Sequence, residues 1–334
     1  LSNTAWAFAT AGHEAPELFD AISAEAVRRR LGGFNPQDIS NTAWAFATAG
    51  HESSELFNAI SAEAVRRRLV GFTKQHLSNT AWAFATAGHE ALELFDAISA
   101  EVVRRGLVDF DPQHLSNTAW AFATAGHASP ELFDAISVWA SRRRLSGFDA
   151  QEMSNTAWAF AVSDPPSADG LFGTPFFSMR CAHFEATFSR EELSQLHQWS
   201  LWREERGSQW PELPKSLQQA CHDAFIAREG QPSQLQSDVV REIRSHGVHV
   251  KEEHRCEASG YSIDALVTLN DGKKVAVEVD GPFHFIGRSH QPTGATRLKH
   301  RQLRYFGWRL ESVPYWEWYC SKELHWLPRA SGHQ

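Results

Sequence analysis

Apolar positions in the first half of the chain recur at helical spacing, and that spacing then returns copy after copy. Between Pro36 and Ala49, the residues Ile39, Ala43, Phe46 and Ala47 fall at i, i+4, i+7 and i+8, one face of a helix that Trp44 widens. Asn35-Pro36 ahead of the run joins a capping side chain to proline at the first helical position, and Gly50 behind it suits a left-handed stop. A second stripe of Leu56, Phe57, Ile60, Ala64, Val65 and Leu69 predicts a partner helix from Ser53 or Ser54, closed by Arg66-Arg67-Arg68 and Gly71. Beyond residue 233 the pattern changes to mixed helix and strand. Leu235 to His246 is an amphipathic helix and Val248 to Glu253 a strand. Tyr261 to Leu269 and Lys273 to Asp280 alternate as strands around Asn270-Asp271-Gly272, a three-residue hairpin loop. This register sets Val267 against Val275, Ala265 against Val277 and Ile263 against Val279, so the apolar stripes meet on one face.

The string Ser-Asn-Thr-Ala-Trp-Ala-Phe-Ala begins at Ser2, Ser40, Ser78, Ser116 and Ser154, a constant step of 38 residues. A fixed period of this size marks stacked helical pairs, because neither helix of a pair can bury its apolar face alone. The expected fold class is therefore an α-solenoid of 38-residue helix-pair repeats followed by an α/β domain. Trp6, Trp44, Trp82, Trp120 and Trp158 are expected as a ladder inside the stack. Asn41, Ala45 and Thr48 share a stripe beside the apolar face, with Asn3, Asn79, Asn117 and Asn155 in the other copies. Asparagine is a poor residue inside a helix. The row of amides at Asn41, Asn79 and Asn117 is either a surface for hydrogen-bonding bases or a set of inter-repeat clamps. The arginine clusters at 28–30, 66–68, 104–105 and 142–144 suit the negative end of a helix dipole or, alternatively, a rail of phosphate contacts. His13, His51, His89 and His127 follow the C-cap glycines and read as helix-end polar groups.

The 334 residues and their 42% hydrophobic content allow about two packed domains. The domains expected are residues 1–162 as the solenoid, 163–232 as a helical cap and linker, and 233–330 as the α/β domain. Within the cap, Ser189-Arg190-Glu191-Glu192 is a capping-box pattern that opens a helix running through Trp202. No apolar run is long enough to span a membrane. Four scattered cysteines, with no CxxC pair, argue against structural zinc and for a reducing compartment. The net charge of −8, with 18 acidic and 12 basic side chains in residues 1–162, does not announce a nucleic-acid binder. The chain begins at Leu1, inside a repeat, and reads as a fragment whose targeting segment is out of sight.

Candidate chemistry lies in the last domain. The register places Asp264 opposite Glu278, with Asp280 two residues on, so the first two carboxylates would lie about 5 Å apart. Opposed like charges need compensation, from Mg²⁺ held by Asp264 and Glu278 or from a raised carboxyl pKa; the bland alternative is carboxylates bonded to local backbone or arginine. Between Arg288 and Arg309 the bases Arg288, Arg297, Lys299, Arg301, Arg304 and Arg309 occur without an acid and with Tyr305, Phe306 and Trp308 among them. Such a mixture fits a sugar–phosphate backbone with stacked bases, or else a solvated face over Leu298, Leu303 and Phe306.

The helix-pair repeat resembles the octotricopeptide repeats of algal and protist organelle proteins and the helical repeats of the FAST kinase family, both associated with RNA. More specifically, Ile263-Asp264, the string Val275-Ala276-Val277-Glu278-Val279-Asp280-Gly281-Pro282-Phe283-His284-Phe285, Arg297-Leu298-Lys299-His300-Arg301 and Gly307-Trp308 resemble the RAP domain over residues 236–328. That family is similar to the restriction-endonuclease-like fold of very-short-patch-repair nucleases. The resemblance implies an organelle RNA-binding protein, mitochondrial or chloroplastic, acting in RNA processing, mRNA stability or translation. It implies single-stranded RNA as partner, alongside other RNA-processing proteins, with no membrane and no small-molecule cofactor. It also implies an alternative, a metal-dependent endoribonuclease with Asp264, Glu278, Asp280, His284 and Lys299 as its site and Mg²⁺ as its ion. Asp280 stands where the usual nuclease pattern has lysine, which puts cleavage in doubt and leaves binding intact. A protein-interaction scaffold is a third reading, supported by the acidic solenoid.

Overall fold

The computed structural model describes residues 1–227, 231–287, 289–322 and 324–327. The repeats are helical pairs. The first helices are α1 (Ser2–Thr10), α3 (Pro36–Ala49), α5 (Lys74–Thr86), α7 (Pro112–Thr124) and α9 (Ala150–Ser163). The second helices are α2 (Pro16–Arg28), α4 (Ser54–Arg66), α6 (Leu92–Arg104) and α8 (Pro130–Arg142). Local chemistry sets these bounds. Asn35 and Asp38, Thr73 and His76, and Asp149 and Glu152 form reciprocal capping boxes, while Asp111 accepts from the His114 N–H. Gly50 ends α3 at φ 62°, the left-handed stop expected of it.

The first helices stack on one another along an alanine-rich seam, in which Ala43, Ala81, Ala119 and Ala157 are wholly buried. The core between repeats is built from phenylalanine. Phe46 meets Phe19 edge-on with centroids 5.0 Å apart, Phe84 meets Phe57 at 4.9 Å, and Phe122 meets Phe95 at 4.9 Å. The histidine after each cap leans on both rings of such a pair. The same histidine reaches back one repeat, His51 to Asp20 at 2.9 Å, His89 to Asn58 at 3.0 Å and His127 to Asp96 at 2.9 Å.

Two expectations change here. The tryptophans do form a ladder, with centroids 6.5 Å apart for Trp6–Trp44 and 6.3 Å for both Trp44–Trp82 and Trp120–Trp158, but it runs along the rim. Trp44, Trp82 and Trp120 are half-buried, because the smaller alanines occupy the seam and leave no room for an indole within it. The arginine clusters are not a free rail. Glu63 holds Arg66 and Arg67, Glu101 holds Arg104 and Arg105, and Glu25 holds Arg28 and Arg29. The third arginine lies past the helix. Arg68 and Leu69 take φ 52° and 55°, a left-handed pair that turns Leu69 into the core, and Arg30–Leu31 and Arg144–Leu145 repeat it.

Stacking outlasts the repeated sequence. After α10 (Ala168–Phe172) and α11 (Phe176–His183), α12 (Arg190–Glu205) lies on α9 as a further first helix, with α13 (Lys215–Ile226) against it. Gln195 Nε2 donates to Asn155 Oδ1 at 3.1 Å across that contact. Phe172, Phe177, Trp199, Trp202 and Trp210 seal the end of the stack.

The last domain contains α14 (Gln234–Ser245), β1 (His249–Arg255), β2 (Ser262–Thr268), β3 (Lys274–Asp280), α15 (Gly294–Tyr305), β4 (Leu310–Pro314) and α16 (Tyr315–Ser321). The sheet order is β1-β2-β3-β4, antiparallel except for β3 with β4. Ala265 pairs with Val277 and Val267 with Val275, the register read from the alternation, and Gly272 turns the hairpin at φ 82°. Ala265, Val267, Val275, Val277 and Val313 pack beneath Val239, Val240 and Ile243 of α14. The opposite face carries the acids and is covered by α15.

Candidate functional site

Two places carry the residues singled out by the sequence. The first is the solenoid rim. Asn41, Asn79 and Asn117 are half-buried there, and beside them run Trp44, Trp82 and Trp120, three positions on, then Thr48, Thr86 and Thr124. Ala45 does not belong to this stripe. It is wholly buried, as are Ala83 and Ala121, and tryptophan takes its place at the surface. The stripe closes at the fifth copy, where α12 covers it: Asn155 is engaged by Gln195 and Trp158 is buried.

The second is the covered face of the sheet, where Asp264, Glu278, Asp280, His284 and Lys299 come together. Asp264 Oδ2 accepts the Val279 N–H at 2.7 Å. Glu278, 1% exposed, is paired with the Lys299 ammonium through one oxygen, and its Oε1 has no partner. Asp280, also 1% exposed, accepts from Ser312 Oγ and is bonded to His284 Nδ1 at 2.7 Å, with His300 Nε2 3.5 Å away. Burial pushes the Glu278 carboxyl up to about 8 and raises Asp264 as well, in both cases against the pull of Lys299. Burial also acts on Asp280, but the bond from His284 and the nearby His300 ring hold it well below the usual carboxylate range. Directly opposite Asp264, Glu253 takes φ 48° within β1, which brings its carboxylate to Ser262 and Gln236.

This cluster is internally compensated. An ion on Asp264 and Glu278 would have to displace Lys299, and one Asp264 oxygen is already committed to backbone. The donors present do not fit a divalent metal, and among the described residues no group of three or more His, Cys, Asp or Glu side chains is placed to hold one. His300 and Ser312 complete the cluster. His300 was within reach of the sequence, in the Arg-Leu-Lys-His-Arg string, whereas Ser312 comes from the parallel strand β4, which no local pattern ties to β3.

The basic helix α15 lies between the sheet and the solenoid. Arg301 donates to the Ala161 and Val162 carbonyls at the end of α9, at 2.5 and 3.2 Å, and to Glu205 at 2.8 Å. Arg297 donates to the Gly126 carbonyl at 3.0 Å, just past α7. Both guanidiniums thus meet orphan carbonyls at negative helix ends. Leu298 joins the solenoid core, and Gly294 lies so close to α7 that a Cβ there would sit 1.9 Å from the Ala123 carbonyl oxygen. Gln198, Tyr261 and Gln302 form a buried hydrogen-bond network across the same junction. Of the basic residues expected to meet RNA, Arg297 and Arg301 are therefore engaged with the solenoid and Lys299 with Glu278. Arg304 is exposed, and Arg288 lies outside the described residues.

Residues 277–323 match the RAP domain, so the chain carries a RAP domain in the region where β3, α15, β4 and α16 lie. A chloroplastic RAP domain-containing protein of Oryza sativa subsp. japonica is 35% identical over 86 residues. The match covers 26% of this chain and 13% of that protein. Among the described residues no helix is long and apolar enough to cross a membrane.

Proposed function

We propose that this chain is an RNA-binding protein of an organelle, and that it receives single-stranded RNA along the rim of its first helices. The observation that carries the reading is the stripe of asparagine, half-exposed tryptophan and threonine, repeated on neighbouring helices. It offers indole faces for stacking beside amides able to pair with base edges, the combination that single-strand binders use. The RAP domain and its chloroplastic relative supply the organelle context. In this arrangement α15 acts as the clamp that fixes the domain to the solenoid edge. Binding would serve processing, stability or translation of a transcript. Near-identical repeats imply a monotonous base preference. The endoribonuclease alternative lacks comparable support, because Lys299 already stands in the cation's place.

Homopolymeric RNA oligomers of equal length, titrated at low salt and followed by fluorescence anisotropy, test this. Saturable binding that favours one homopolymer is expected, and Trp82→Ala should weaken it by roughly tenfold, the scale of one lost base stack. Absence of binding at micromolar protein, or affinity indifferent to both Trp82→Ala and Asn79→Ala, would remove the rim from consideration.

A further inference from the structure

The solenoid contains the same groove twice, two repeats apart. In the groove between the third and fourth repeats, Phe95, Ala125 and His127 surround Ile286 of the RAP domain, leaving a residual volume of about 10 Å³. Between the first and second repeats, Phe19, Ala49 and His51 form the equivalent walls, and there the groove is open, with a volume of about 420 Å³. The correspondence holds position by position at a shift of 76, two 38-residue periods, except that Pro16 replaces Leu92.

The occupied groove shows what its shape accepts. Residues 284–287 and 289–293 lie back on each other, joined by the Phe285–Pro292 bridge, the Ile286 N–H to the Gln291 carbonyl at 2.9 Å and the Thr293 N–H to the His284 carbonyl at 2.9 Å. Ile286 is buried, with its Cδ1 3.4 Å from where a Gly126 side chain would begin. Gly287, at φ 53°, lets the turn approach the Gly88 carbonyl, since a Cβ there would already stand 3.1 Å from it. Arg297 then holds the Gly126 carbonyl. The lip matters as well. It is alanine in these two grooves, Ala15 and Ala91, whereas the repeats after them carry Ser53 and Ser129, each tied to the preceding helix by a hydroxyl contact, Ser23–Ser53 at 2.6 Å and Ser99–Ser129 at 2.5 Å.

We infer that the open groove formed by Phe19, Ala49 and His51 docks a protein partner, one that presents an aliphatic side chain followed by glycine on a tight turn, with an arginine placed to reach Gly50. The occupant is the chemical likeness of this chain's own hairpin, because walls repeated residue for residue select the same shape. The site lies where the first and second helices join and shares only Thr48 with the proposed RNA rim, leaving Asn41 and Trp44 outside it, so protein and RNA could be held together.

The test uses the whole chain, whose own hairpin keeps the second groove filled, and a backbone-cyclised peptide of residues 284–293 as probe. Titration should give one saturable site, with amide NMR shifts at Gly12 and Gly50. Replacing the peptide isoleucine by alanine should weaken binding at least about tenfold, the scale expected for one buried aliphatic side chain. The groove-filling variant Ala49→Phe should do the same while leaving RNA affinity unchanged; Ala15→Leu gives an independent block should Ala49→Phe fold poorly. Absence of saturable binding at about millimolar peptide, shifts confined to Gly88 and Gly126, or binding insensitive to both blocking variants would overturn the inference.

Discussion

The solenoid and the RAP domain treat charge in opposite ways. In the solenoid, Glu25, Glu63 and Glu101 near the ends of the second helices are each held by arginines three and four residues on, at the surface and beside one helix end. Arg66 and Arg104 side chains are 70% exposed. Such pairs cost little to form and contribute little. In the RAP domain, Glu278 and Asp280 are 1% exposed and find their partners on α15, β4 and the turn after β3. A buried ion pair depends on both members, since either one alone is a desolvated charge. The lesson is about consequence rather than number: a charged side chain in one region is expendable, while in the other it holds distant elements to each other.

The sharpest way to break this contrast is to remove one charged side chain from each region. Above about pH 8, where Glu278 is ionised, Glu278→Ala strands the Lys299 ammonium and is expected to destabilise the RAP domain by about 3–5 kcal/mol, read as a lowered denaturation midpoint. Arg104→Ala, on the exposed helix face, should leave the midpoint where it was. Equal losses would dissolve the comparison.

Next comes pH. The unfolded chain releases the Glu278 proton near the ordinary carboxyl value of 4.5, whereas the folded domain keeps it up to about 8. The folded state therefore binds the extra proton within that window, and stability falls as pH rises from about 4.5 to about 8, by at most about 1.4 kcal/mol per pH unit. Glu278→Gln, which keeps the shape without the titration, should flatten the slope. The glutamates paired with arginine in the solenoid run the other way. The hydrogen bond from Arg104 is the first cause holding Glu101 down at about 2, so its contribution is present above pH 4.5 and fades as pH falls towards 2. A RAP-domain midpoint that rises with pH between 5 and 8 would contradict the assignment.

The junction between the regions can be probed directly. Gly294→Ala places a methyl group against the Ala123 carbonyl, and overpacking of this kind costs about 1–3 kcal/mol. Hydrogen exchange should speed up along α15 and at the end of α9, with α3 and α5 unaffected. Protection unchanged at α15 would mean that the junction tolerates the methyl. The smallest expected effect lies at the left-handed turn after each second helix. Arg68→Gly relieves a positive φ at some entropic cost and should stabilise the solenoid by about 0.5 kcal/mol, measurable as a small rise in midpoint; a loss would show that the Arg68 side chain contributes more than its backbone costs.

Much of the local architecture was legible in the chain itself. The 38-residue period, the Asn35 cap, the Gly50 stop and the hairpin register of β2 with β3 each depend on residues a few positions apart, and propensity, capping and alternation act at that range. The meeting of Asp264 with Glu278 followed from the same register. What surrounds these acids followed only in part: Lys299 and His284 came through the family resemblance, whereas Ser312 reaches Asp280 from a strand that only the packed sheet brings close.

Sequence by itself thus determined the helical pairs, the sheet and the grouping of the acids. Tertiary structure decided which faces stay free. Arg297 and Arg301 look like nucleic-acid contacts in a row of bases, yet α15 has the sheet on one side and the solenoid on the other, and its guanidiniums are drawn to the carbonyl ends of α7 and α9. The tryptophans look like core residues in a hydrophobic string, yet the alanine seam brings the first helices too close to enclose them and leaves the indoles on the rim. Periodicity fixes which way a side chain points from its own backbone, whereas burial depends on what another part of the chain places there.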